Sequence, residues 1–189
     1  MLWLIGLPAA AAAGVFFVSW RLAGLIVKPA LWDYDATYEQ EIQSGAFRRE
    51  AYENEFHSQE FYLGSPCGYP LHCMVLPQKP DTAFPDGKNR VAVIAHGFSY
   101  SLYGSVKYAE IFRDLGFSCV LFDQRNHGKS GKAPTTMGYY ESRDLAAVCR
   151  WARQRFGDDC LLGTHGESMG AATVMLHAPT DPRLSFVIE

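Results

Sequence analysis

Residues 161–173 read LLGTHGESMGAAT and contain Gly166-Glu167-Ser168-Met169-Gly170, a G-x-S-x-G pattern. A serine hydroxyl in such a stretch can attack a carbonyl carbon, provided a base takes its proton. The spacing alone occurs by chance. Here it follows an apolar run and opens a helix-forming one, the context that a nucleophile elbow needs. The chain must turn sharply between the two, which strains the backbone at Ser168. Gly166 and Gly170 suit the flanking positions because a Cβ at either would collide with the neighbouring strand or helix. The amide end of the following helix favours negative charge beside the serine. An ordinary Ser- and Gly-rich turn is the bland reading, and the strand-to-helix context argues against it.

A serine attacking a carbonyl also needs donors for the oxygen that becomes negative. His96-Gly97-Phe98 follows the apolar run 91–95, a strand end of the kind that supplies one donor. The expected pair is the backbone N–H of Phe98 and that of Met169, the residue after the serine. Backbone donors leave side-chain identity free. His96 reads as a structural histidine bonded inside its loop. Residues 123–131, DQRNHGKSG, invite a nucleotide reading through Gly128-Lys129-Ser130. A phosphate-binding loop of that type needs a glycine five residues before Gly128, where Asp123 stands, so that reading is rejected. Asp123 and Arg125 are expected to tie a strand end to its loop, and His127 to be structural. The five cysteines, Cys67, Cys73, Cys119, Cys149 and Cys160, include no C-x-x-C pair. Cys67, His72 and Cys73 lack zinc-ligand spacing, so no metal site is expected. Cys119 and Cys160 read as small buried hydrophobes.

These residues need elements to position them. Apolar runs at VAVIAHGF, FSCVLFDQ and CLLGTH read as buried parallel strands, and LSFVIE as the start of another. Between them, residues 105–115 read as a helix ended by Gly116. Residues 139–156 carry Leu145, Val148, Cys149, Ala152 and Phe156 on one helical stripe, and 169–178 form a third helix. Strand–helix alternation of this kind predicts a doubly wound α/β sheet. Upstream, two short apolar runs flank Ser65-Pro66-Cys67-Gly68, the turn of an antiparallel pair. PQKPDTAFPDGKN is a loop. Residues 33–60 carry eight acids, among them Glu39, Glu41, Glu53 and Glu60, against Arg48 and Arg49. Tyr38, Ile42, Ala46 and Phe47 recur near helical spacing, so this stretch reads as a solvated helix or helix pair broken near Gly45.

The composition, 48% hydrophobic and 20% charged over 189 residues, is that of a globular domain. A net charge of −3 gives no reason to expect a nucleic-acid partner. Leu2 to Trp20 is a run of 19 residues without a charge, and after Arg21 the apolar character continues to Val27. That length can cross a bilayer core of about 30 Å. Trp3, Trp20 and Trp32 flank it as interfacial anchors do. A cleaved signal peptide and a buried core helix are the rival readings. The lack of basic residues before the run, and its length, favour a retained single-pass anchor over a signal peptide. Arg21 and Lys28 after the span favour a cytoplasmic body. The expected organisation is an anchor over 1–28, an acidic juxtamembrane helical segment over 29–60, and a catalytic-type α/β domain over 61–189.

The order His-Gly after one strand, Asp-x-Arg-x-His-Gly-x-Ser after the next and Gly-x-Ser-x-Gly after a third resembles the α/β-hydrolase superfamily. Residues from about 60 to 189 are similar to its bacterial membrane-anchored, serine-aminopeptidase-like branch, through GYPLHCMVLP, AHGF, DQRNHGKSG, GYYESRDL and HGESMG. The resemblance implies a three-layer, mostly parallel sheet, present here as its N-terminal half and ending at or just after the sixth of eight strands. It also implies a serine hydrolase of the acyl-transfer type. Such an enzyme cleaves an ester, thioester or amide bond of a small-molecule or peptide substrate and uses no cofactor. In the family the triad runs Ser, then Asp or Glu, then His. His177 follows Ser168 on the elbow's own helix at roughly 13 Å of rise and cannot contact it. His165 and His96 do not match the family's base, and Asp181 and Glu189 are candidate acids by position only. The triad acid and base are therefore unassigned, as is the oligomeric state. The alternative function is a non-catalytic, membrane-tethered fragment or interaction module.

Overall fold

Val91, Val93 and Ala95 point to one side of a strand, and Ala92 and Ile94 to the other; all five are inaccessible to solvent. That alternation sets the architecture, because a strand apolar on both faces needs a helical layer on each. The structure is a computed structural model that describes residues 2–80, 82 and 84–189, with residues 2–8 described by their backbone alone. Met1 of the expected anchor, Asp81 and Ala83 of the expected loop, and the side chain of Trp3 lie outside the described residues.

The strands are β1 (Gln59–Gly64), β2 (Pro70–Leu76), β3 (Arg90–Ala95), β4 (Ser118–Phe122), β5 (Leu161–Gly166) and β6 (Phe186–Ile188). They form one sheet in the order β1-β2-β4-β3-β5-β6. β1 and β2 are antiparallel, joined through the turn at Ser65, whose N–H donates to the Tyr69 carbonyl over 2.8 Å. β2 runs antiparallel to β4, whereas β4, β3, β5 and β6 are parallel. The expected doubly wound, mostly parallel sheet is what the chain forms.

One face of the sheet is covered by α5 (Glu141–Phe156) and α6 (Met169–His177). Leu145, Val148, Cys149 and Ala152 of α5 and Val174 of α6 pack there with Cys73, Val91, Val93, Val120 and Leu162. The stripe expected on α5 is thus its buried face. On the other side, α4 (Val106–Asp114) follows a 3₁₀ turn at Leu102–Ser105 and packs on Met74, Ala92, Ile94, Cys119 and Leu121. The turn is the one departure from the expected helix over 105–115. Gly116 ends this segment at φ 81°, a conformation that costs glycine little.

The acidic stretch folds as α2 (Tyr34–Gln43) and α3 (Arg49–Asn54), separated by Gly45 at φ 75°. Asp33 caps α2, its carboxylate accepting from the Asp35 and Ala36 N–H groups. These helices are solvated on one side only, which corrects the sequence reading. Phe47, Ala51 and Phe56 are buried, and around them Tyr103 meets Tyr38 and Tyr52 edge to face while those two rings are tilted against each other. Aromatic area of this kind, once out of water, outweighs the exposure preference of the acids beside it. Among the cysteines, Cys67 is exposed and the other four are buried thiols. The chain up to Ala30 forms a separate unit, the helix α1 (Leu2–Val27), whose residues Ala9–Val27 are long and apolar enough to cross a membrane.

Candidate functional site

β5 ends at Gly166 and α6 begins at Met169, so the turn between them is made by Glu167 and Ser168. Ser168 sits at φ 57° and ψ −114°. A non-glycine residue held there costs about 1–3 kcal/mol, so its surroundings must impose it. They do so through close backbone approach. A Cβ on Gly170 would be driven into the Ala95 carbonyl and would stand 2.9 Å from the His96 oxygen. One on Gly166 would run into the Gly170 backbone, 2.6 Å from the Ala171 nitrogen. The Glu167 N–H donates to the Ala95 carbonyl at 3.2 Å, and the Gly170 N–H to the Glu167 carbonyl at 2.8 Å. α6 therefore lies against the end of β3 as closely as two backbones allow, and Ser168 is left exposed at the rim.

The loop after β3 closes on this turn. A Cβ on Gly97 would lie 3.6 Å from the Ser168 Cβ. Three buried side chains hold the loop. His96 Nδ1–H donates to the Gly97 carbonyl at 2.7 Å, and its Nε2 accepts the Gln124 N–H at 2.9 Å. That pairing requires a neutral ring. Burial, and then the charge of His127, push the His96 pKa down to about 4. Gln124 donates its side-chain amide to the His96 carbonyl at 2.6 Å and accepts from the Thr173 hydroxyl at 2.8 Å, bridging the loop to α6. His127 Nε2 accepts the Ser99 N–H at 3.0 Å while its Nδ1–H donates to the Arg125 carbonyl at 2.8 Å. From outside, the Trp32 N–H donates to the Ser99 carbonyl at 3.0 Å. His96 and His127 are structural, as expected. Among the described residues, the N–H groups of Phe98 and Met169 have no protein acceptor.

A cavity of about 280 Å³ opens between the loop and the turn, lined by Gly97, Phe98, Tyr100, Lys107, Glu167 and Ser168 among others. Lys107 on α4 pairs with Glu167 at 3.1 Å. Burial works against the Lys107 ammonium, but the hydrogen bond and charge of Glu167 outweigh it and raise its pKa.

Asp123, at the end of β4, is fully buried and works beneath this site. Its carboxylate accepts from the Leu102 N–H at 2.7 Å and the Lys129 N–H at 3.0 Å, and pairs with His72 Nδ1 at 2.7 Å. His72 Nε2 reaches Glu60 at 3.0 Å. Burial alone would lower the His72 pKa, but Asp123 and then Glu60 raise it above its ordinary value. Arg125 binds Asp144 at 3.0 Å, and Asp144 also accepts from the Ser65 and Tyr69 hydroxyls. Asp123 and Arg125 thus anchor the strand end to its loop and to the β1–β2 turn, the role the sequence assigns them.

No imidazole or carboxylate among the described residues hydrogen-bonds the Ser168 hydroxyl. His165 turns its Nδ1 to the Ile188 carbonyl at 3.2 Å and its ring against Tyr108. His177 is buried on α6, its Nδ1 at 3.1 Å from the Thr180 hydroxyl. Asp181 is engaged by Arg153 and Arg183. Sequence reasoning missed Tyr100, Lys107 and Glu41 as cavity residues. Tyr100 and Lys107 carry no motif. Glu41 reads in the sequence as one of the solvated acids, although its i, i+4 relation to Thr37 puts both on the single buried face of α2.

The fold has counterparts among known proteins. A family model described as alpha/beta hydrolase fold matches residues 91–184. The uncharacterized protein YqkD of Bacillus subtilis is 41% identical over 86 residues, 46% of this chain and 28% of that protein. An uncharacterized 31.7 kDa Escherichia coli protein from the traX-finO intergenic region is 28% identical over 110 residues, 56% of this chain and 38% of that one. The chain thus spans well under half the length of these curated relatives. Among solved structures, XC6422 of Xanthomonas campestris, described as an a/b serine hydrolase without lid, superposes with a TM-score of 0.58 at 29% identity, over 65% of this chain and 56% of that one. The Pyrococcus furiosus esterase Pf2001 gives a TM-score of 0.60 at 21% identity, over 72% and 52%. Strand order, turn and family match together place the chain in the alpha/beta-hydrolase superfamily.

Proposed function

We propose that the chain is a serine hydrolase of the acyl-transfer type, acting on an ester, thioester or amide bond, with Ser168 as nucleophile. The observation that carries this reading is the backbone of Ser168, held at φ 57° on a two-residue strand-to-helix turn at the edge of a cavity. Ser168 Oγ attacks the carbonyl carbon, the carbonyl oxygen becomes an oxyanion, and the N–H groups of Phe98 and Met169 receive it. Their freedom from protein acceptors supports that role, since a donor already engaged has nothing to offer a new charge. Losing one such donor costs on the order of 10² to 10³ in rate. Collapse of the intermediate expels the leaving group, and water then releases the acyl group from Ser168. An imidazole must take the serine proton and return it to the leaving group, then do the same for the attacking water, and its supply to Oγ, in cis or in trans, is part of the proposal. Without it, turnover in related triads falls by about 10⁶.

The closeness of XC6422, itself described as a serine hydrolase, supports the reaction class. The helix α1 supports a membrane tether for the domain, with a small-molecule or peptide acyl substrate. The test is labelling with a fluorophosphonate in the presence of added imidazole, which supplies the base in trans. The expected result is a label on the chain that Ser168→Ala abolishes. Equal labelling of both proteins, or no labelling of either, refutes the nucleophile and leaves the non-catalytic, membrane-tethered role.

A further inference from the structure

We propose that the cavity beside Ser168 is a cation-binding subsite. In it the carboxylate of Glu41 receives an alkylammonium or guanidinium group carried by the substrate. The substrate meaning of this subsite rests on the hydrolase reading above; the binding itself does not. Glu41 comes from α2, which precedes the segment matched by the family, residues 91–184. It lines the same cavity as Ser168 and Phe98 while being only 8% exposed.

A carboxylate so far removed from water is unfavourable unless a cation or several donors face it. Among the described residues, no lysine, arginine or histidine forms an ion pair with Glu41. The one ammonium in the cavity, Lys107, is already held by Glu167 at 3.1 Å. Two carboxylates and one ammonium leave one negative charge in excess, since Lys107 also feels the charge of Glu41 but cannot neutralise both acids. The Tyr100 hydroxyl is within hydrogen-bond reach of the Glu41 carboxylate and gives it one neutral donor but no compensating charge. Burial, and then that carboxylate, push the Tyr100 phenol up, so it stays a neutral wall. Thr37, one turn earlier on the same face, hydrogen-bonds Ser101 at 2.5 Å, which fixes α2 on the loop and holds Glu41 in place. A carboxylate probe would meet Glu41 and Glu167 with no free cation to receive it, whereas a cation would meet the excess charge.

The test is ligand-observed NMR on the full chain in an uncharged detergent, with n-butylammonium, n-butanol and n-butyrate as probes. Wild type is expected to bind butylammonium at least about tenfold more tightly than butanol, as a charge-assisted hydrogen bond gives, with butyrate weakest. Glu41→Gln should bring the first two within about twofold, the scale of a weak neutral contact. Lys107→Met, which frees Glu167, should widen the preference for the cation. This variant keeps the proposal testable if Glu41→Gln does not fold. Equal binding of the three probes by wild type, or a preference that Glu41→Gln leaves intact, overturns the subsite. Fluorophosphonate labelling of the same preparation separates the two readings. Labelling without cation preference sinks the subsite alone, and cation preference without labelling sinks the nucleophile alone.

Discussion

Replacing Asp123 should unhinge the loop that carries Phe98, although Asp123 does not line the cavity. Its carboxylate holds three groups: the Leu102 N–H at 2.7 Å, the Lys129 N–H at 3.0 Å and His72 Nδ1 at 2.7 Å. Hydrogen bonds to a charged acceptor contribute about 1.5–3 kcal/mol each, which would sum to roughly 4.5–9 kcal/mol if they were independent. They share one carboxylate, and truncating one member of a buried pair costs about 3–5 kcal/mol when measured as a whole. The second range is the better guide, so Asp123→Ala should destabilise the domain by about 4 kcal/mol. Asp123→Asn keeps one carbonyl acceptor and should cost about half as much. For a unit running from Leu31 to Glu189, about 2–4 °C per kcal/mol converts the alanine variant to a Tm lower by roughly 8–16 °C. The assay is thermal unfolding of the full chain in detergent followed by near-ultraviolet circular dichroism, which reports the packing of the aromatic residues. A fall of less than about 3 °C for Asp123→Ala would refute the reasoning, since it would correspond to about 1 kcal/mol and three unshared surface bonds. The same variant should label more slowly with fluorophosphonate, because the Leu102 N–H fixes the end of the loop.

Three further outcomes are expected. His96 should titrate near pH 4 by imidazole NMR, since burial lowers its pKa from 6.5 to about 4. A folded pKa depressed in this way adds stability that is complete above pH 6.5 and is lost as pH falls towards 4, up to about 3 kcal/mol. His72 is raised, so its contribution has the opposite sign: it is present below pH 6.5 and fades as pH climbs through the folded value. A midpoint near 6.5 for His96 would show that its Nε2 does not hold the Gln124 N–H. For α1, the chain should stay in the membrane pellet through alkaline carbonate extraction, and its release as a chain lacking residues 1–28 would instead identify α1 as a cleaved signal sequence.

The local pieces of this protein are written in its sequence because they depend on neighbours along the chain. Apolar runs at 91–95, 118–122 and 161–165, bounded by turn residues, read as buried strands, and the helical stripe from Leu145 to Ala152 reads as a face turned to the core. The glycines at 166 and 170 announce a turn whose tightness the structure then displays as contact with the Ala95 carbonyl. Residues brought together from far apart in the chain left no such trace. That β4 lies between β2 and β3 follows from pairing across 43 to 49 residues to β2 and across 27 to β3, which no periodicity records. His72 looks like one polar residue in an alternating strand until Asp123 arrives from β4 to pair with it and raise its pKa. Glu41 looks like one acid among eight until the aromatic residues of α2 and α3 press that helix onto the loop beside Ser168. The order of residues is enough to mark the strands, the helices and the places where the chain turns. Which charges lose water is settled in the folded molecule, because desolvation depends on what packs across the gap and not on what lies next in the chain.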